Sequence, residues 1–179
     1  MIDGASGREG ASPTATPDAV ADATQRVTPG DPLALAPEVV ENFVAILDGS
    51  DFAEELRILG VGKWNFLRRK QMVGELEGAY TGLWYLALCR SFPQHADAIF
   101  DLLMERHAVR HPDRVGAHYR ERAAQYRDMF GLAGDQNFSM VSEHLLSFQH
   151  GDSQKRKAQS LRLALCLRST YTMIFDRLV

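Results

Sequence analysis

Apolar residues recur at three- and four-residue steps from about residue 37 onward, and only sparsely before it. Stepping residues 62–91 at about 100° per residue puts Met72, Val73, Leu76, Tyr80, Leu83, Trp84 and Ala87 on one broad face. This pattern predicts one long helix with an ordinary core stripe. Gly74, Gly78 and Gly82 fall roughly opposite, flanked by Leu67, Tyr85 and Cys89. A glycine inside a helix costs about 1 kcal/mol relative to alanine, so a row of them calls for compensating packing. A strip without side chains lets another backbone or a flat ligand approach closely. Three occupants fit it: a helix of the same chain, a second copy of this helix, or a planar cofactor. The working expectation is self-association across Gly74, Gly78, Gly82, Leu67 and Tyr85.

The remaining periodic stretches fill out an all-α reading. Val39, Val40, Phe43, Ile46 and Leu47 predict a helix that stops at Asp48-Gly49-Ser50-Asp51. A short helix follows over 52–59, and Gly60 and Gly62 form a hinge, with Trp64 and Phe66 read as core anchors. Pro93 ends the long helix. The next helix runs to about His111, with Ala96, Ile99, Phe100, Leu103 and His107 as its stripe. After Pro112, residues 113–130 read as a helix facing Val115, Tyr119, Tyr126 and Phe130 inward. Residues 138–149 and 152–178 complete the set. Leu161, Leu163, Leu165 and Leu167 alternate as in a strand, but Ala164 and Cys166 blunt the alternation and no partner strand exists, so helix is preferred. The expected fold is a single-domain bundle of five to seven helices around residues 62–91.

Composition changes this picture chiefly at the front. Residues 1–36 are rich in Gly, Ala, Ser, Thr, Pro and Asp and poor in large apolar side chains, which predicts a mostly disordered leader before a domain over 37–179. Thr16-Pro17-Asp18 marks a short helix start within it, and Leu33 and Leu35 form a docking arm. A leader of this kind ahead of a helical domain resembles, in composition alone, some secreted bacterial effector proteins. That is a further alternative. The 179-residue chain is 45% hydrophobic and 24% charged, as in a globular protein. No secretory h-region is visible, and the longest uncharged run, 78–89, is short of the roughly 20 residues a bilayer span needs. Cys89 and Cys166 sit in apolar helical contexts, which reads as free thiols in a reducing, cytoplasmic compartment.

The net charge of −3 conceals an uneven distribution. Residues 37–57 carry six acids and one base, whereas 154–179 carry six bases and one acid, and the two segments are expected to pair. Lys155, Arg156, Lys157 and Arg162 make a basic patch whose first three members oppose the dipole of the last helix. Nucleic acid or anionic lipid would suit such a patch, but no nucleic-acid-binding motif frames it, so nucleic acid is disfavoured. His107 and His111 share a helix face, and His118 with Glu121 follows one turn into the next helix. Together His107, His111 and His118 are the candidate metal ligands. A haem held against the glycine strip by His107, His144 or His150 is the bolder form of this reading. No di-iron, nucleophile-elbow or phosphate-loop pattern occurs. The lead functional expectation is therefore a non-enzymatic interaction or regulatory module without a cofactor. A ligand- or metal-binding helical protein is its alternative.

Overall fold

The computed structural model describes residues 32–133, 138–149 and 153–178. Among them it holds no strand and seven α-helices, preceded by a short 3-10 helix at Pro32–Leu35. The helices are α1 Ala36–Asp48, α2 Ala53–Ile58, α3 Phe66–Ser91, α4 Ala96–Arg110, α5 Arg114–Ala133, α6 Ser139–Ser147 and α7 Ser153–Asp176. The all-α bundle expected from periodicity is what forms, and residues 161–167 are helical. The short helix proposed after Thr16 lies outside the described residues.

α3 is the rod around which the others pack. Its predicted core stripe is inside: Met72, Leu76, Tyr80, Leu83, Trp84 and Ala87 are buried. The Trp84 ring stacks on Phe43 of α1 at 4.6 Å, nearly parallel, and lies beside Phe100 of α4. Such burial of large rings dominates the energetics of a core this size. The opposite side of α3 is covered by α5. A Cβ on Gly78 would lie 2.9 Å from Arg122 Cβ and from the Tyr126 ring, and one on Gly82 would lie 2.8 Å from the Phe130 ring. The contacts advance together along both helices, so α3 and α5 run in the same direction. α7 also runs with α3: Thr170 Oγ1 donates to Tyr80 Oη at 3.3 Å, and further along Arg90 lies over the Phe175 ring. α4 returns in the opposite direction, with Tyr85 of α3 donating to Asp97 and packing edge-on against Phe100.

Several expectations are corrected here. The glycine strip holds a helix of the same chain, so a second copy has no open face at Gly74, Gly78 and Gly82. Tyr85 is taken up by α4 and by Arg127, whose guanidinium stands 5.5 Å from its ring. Of the proposed interface only Leu67 faces solvent. Trp64 and Phe66 are not core anchors: α3 begins at Phe66, and its first turn projects past the neighbours that bury the rest of the helix. Val115 also stays exposed, and Leu33 and Leu35 keep 40% and 50% of their exposure.

Among the described residues two acids, Glu55 and Glu75, lie inside the bundle. Glu55 of α2 accepts from the Tyr80 hydroxyl at 2.6 Å and faces the Cys166 thiol at 3.3 Å. Burial, reinforced by Glu55, pushes that thiol up to about 12, so Cys166 stays protonated and unreactive at neutral pH. Both cysteines are free. The expected pairing of acidic front and basic end is limited. Arg162 of α7 helps hold the Glu54 carboxyl below its usual range, after the larger effect of Arg57.

Candidate functional site

A cleft of about 750 Å³ opens between α1, the α1–α2 turn, α3, α4 and the start of α5. Its apolar wall comes from Val40, Val44 and Leu47 of α1, Val73 of α3 and Leu103 of α4, with Phe52 at the turn. Phe52 is the one described non-glycine residue with positive φ, at 51°. Its ring is buried edge-on against Tyr80 at 4.9 Å, which holds a backbone shape that L-residues otherwise avoid.

Glu77 of α3 lines this wall, half-buried. Its carboxylate has no hydrogen bond or ion pair among the described residues. The natural partner would be Arg122 of α5, but that guanidinium is committed to Glu75 at 2.7 Å, where Tyr126 Oη also donates at 3.0 Å. Burial raises the Glu77 carboxyl above its usual range; Arg122 partly counters this and Asp48 adds to it. One α3 carboxylate is thus satisfied in the α3–α5 seam, while its neighbour two residues on is left facing the cleft.

Opposite stands an aromatic pair. His107 of α4 stacks on Tyr119 of α5 at 4.2 Å, and His111 lies 4.8 Å from His107. Thr81 Oγ1 donates to the Glu77 carbonyl at 2.8 Å, so the Tyr119 hydroxyl donates to Thr81 Oγ1 across 2.9 Å. Burial pushes the Tyr119 phenol up to about 12. Arg120 Nη1 approaches His107 Nδ1 at 3.5 Å and donates to the His111 carbonyl at 3.2 Å. An arginine cannot accept, so this contact favours the His107 tautomer protonated at Nε2.

The α4–α5 turn positions this pair. Asp113 Oδ1 accepts from Gly116 N at 2.9 Å, an N-terminal cap on α5. A Cβ on Gly116 would lie 2.1 Å from the His111 carbonyl oxygen, so only glycine lets α5 start this close to the end of α4. That turn sets the phase of α5. Tyr119 faces the cleft, while His118 points outward beside Glu121 at 3.5 Å. The three-histidine metal reading is corrected accordingly: His107 and His111 come together and His118 does not join them. Among the described residues no group of three or more His, Cys, Asp or Glu side chains is placed to hold a metal.

His107 itself is displaced from its ordinary titration. Burial, then the charges of His111, Arg120 and Arg110, push it down to about 4, with Asp113 opposing. The unfolded chain would take up this proton near 6.5. Between these values the unfolded state binds a proton that the folded state refuses, so stability falls as pH drops from about 6.5 towards 4. Partial solvent access limits the effect to about 1–2 kcal/mol. Glu77, with its raised carboxyl, acts in the opposite sense. Urea unfolding at pH 7.5 and pH 5 should show a larger loss for the native chain than for His107→Gln. Equal losses would mean that His107 is not held neutral by the fold.

The basic patch is split. Arg156 Nη2 donates to the Leu146 carbonyl at 2.8 Å, satisfying the C-terminal end of α6. Lys155, Lys157 and Arg162 remain exposed. No protein-family model matches the chain, and no curated protein or solved structure is similar to it.

Proposed function

We propose that the chain is a non-enzymatic binding module whose working surface is the α1–α4 cleft. Its ligand has an apolar body and an ammonium group. The supporting observation is the half-buried, unpartnered Glu77 carboxylate on the wall of a largely apolar cleft. A cleft of this size suits a small organic molecule. An ammonium group would meet the carboxylate where water is scarce and the attraction is strengthened. The apolar body would cover Val44, Leu47 and Val73. Binding then tightens as pH rises through the raised Glu77 titration, because only the ionised carboxylate holds the cation.

Octylamine, octanol and octanoate are suitable probes, followed by calorimetry and by thermal unfolding. Octylamine should bind best, and Glu77→Gln should reduce its affinity about tenfold or more, the loss expected when a charge-assisted hydrogen bond is removed. Equal binding of the three probes, or a Glu77→Gln variant that binds octylamine as well as the native chain, would overturn the reading.

A protein partner or a second copy is a second reading. It is supported by Leu161 and Leu165, exposed one turn apart on α7. Leu161→Lys with Leu165→Lys should lower the mass seen in light scattering if α7 self-associates. Two free thiols, one of them held protonated, support placing the chain in the cytoplasm.

A further inference from the structure

At the start of α3 the chain presents Lys63-Trp64-Asn65-Phe66-Leu67-Arg68-Arg69-Lys70. Trp64 is 90% exposed, Phe66 72% and Leu67 86%. Large apolar side chains this open, three in four positions, are not what a bundle leaves to water by chance. Between Glu55 and Glu75 the chain carries five bases and no acid. Lys63 and Lys70 are exposed, Arg68 and Arg69 are half-buried, and none of the four is ion-paired among the described residues. The first turn of α3 has no acid either, so these cations oppose its dipole without local compensation.

A second basic element stands at the same end. α7 runs in the direction of α3, so their first turns lie together. Gln159 Nε2 donates to the Ile58 carbonyl at 2.9 Å, and Gln149 to the Leu59 carbonyl, which ties the start of α7 and the end of α6 to the α2–α3 turn. Lys155 and Lys157 are exposed there. The tip thus combines an apolar wedge of tryptophan, phenylalanine and leucine with cations around it and beside it.

We propose that this tip is a docking site for an anionic lipid bilayer. Indole and phenyl rings partition into the headgroup region, and nearby cations are attracted to acidic lipids. Reversible attachment needs both contributions, since neither alone is sufficient. Among the described residues no helix is long and apolar enough to cross a membrane, so the contact is peripheral. Nucleic acid fits the tip less well. Leucine does not stack on bases, and a long polyanion would also meet the rest of a chain whose net charge is −3. A bilayer touches the tip alone.

Flotation with phosphatidylcholine vesicles, with and without 30% phosphatidylserine, tests this. The full chain should float only with phosphatidylserine present and should come off as salt rises. The chain has two tryptophans and Trp84 is already buried, so a blue shift on vesicle addition reports insertion of Trp64. Trp64→Ser with Leu67→Ser should abolish the shift. Lys63→Glu with Arg69→Glu should weaken binding about tenfold or more. These positions are outside the core, and circular dichroism checks that both variants fold. Failure of the native chain to float with anionic vesicles at low salt would overturn the proposal. So would flotation unchanged in both variants, or binding to single-stranded RNA but not to vesicles.

Discussion

Gly82→Leu is expected to cost the domain about 4 kcal/mol of stability. The first added carbon would already lie 2.8 Å from the Phe130 ring and 2.9 Å from the Tyr126 backbone carbon. Backbone at that distance cannot rotate away, so α5 would have to lift off α3. Overpacking of a rigid core commonly costs about 1–3 kcal/mol per site, and a leucine against backbone belongs above that range, near 4 kcal/mol. Of the about 5–15 kcal/mol that a domain has in hand, that is between about a quarter and most of the total. Gly74→Ala is the control. Its Cβ would meet Arg122 Nη1 at 3.0 Å, the far end of a flexible side chain. The helix-propensity gain of about 1 kcal/mol should offset that adjustment and leave stability near the native value. Urea unfolding followed by circular dichroism separates the two variants. Equal midpoints would mean that α5 does not lie against the strip.

The contrast between these glycines shows what was legible beforehand. Four-residue spacing on α3 required a close contact, because a row of glycines costs too much stability to stand in open water. Which helix supplies the contact was not legible, because the partner lies some 50 residues away and no local pattern encodes that distance. The helices and the core face of α3 followed from periodicity, since the apolar positions and the burial they cause are both local. Trp64 and Phe66 failed for a local reason as well: hydropathy says that a ring would prefer burial, not whether the helix outruns the elements able to bury it. The histidines failed through phase. Spacing put His118 one turn into α5, but the same helix faces Tyr119 inward, and a step of about 100° per residue then turns His118 away from His107 and His111. The burial of Glu55 and Glu75 was not legible, because a hydropathy pattern cannot show their distant partners, Tyr80 with Cys166 and Arg122 with Tyr126. The unpartnered state of Glu77 was hidden for the same reason. It depends on which of two carboxylates Arg122 takes.

That choice leads to the second large effect. Arg122→Met should cost about 2–4 kcal/mol, because Glu75 is left as an uncompensated charge in the α3–α5 seam. The figure lies below that for a wholly buried pair because the Arg122 side chain keeps 29% of its exposure, against 7% for Glu75. Glu75→Gln alone should cost about 1 kcal/mol, since the amide oxygen still accepts from Tyr126. In the double variant both charges are gone, so its loss should be smaller than the sum of the single losses by about 1–2 kcal/mol. A coupling near zero would mean that the ion pair contributes nothing to the seam. The same variants bear on the cleft. With Glu75 neutral, Arg122 can turn to Glu77, whose carboxyl already feels its charge. Glu75→Gln should therefore weaken octylamine binding although it lines no part of the cleft. Arg122→Met should leave Glu77 free to bind. Opposite behaviour of these two variants would separate the electrostatic argument from a general loosening of the fold, which would weaken binding in both.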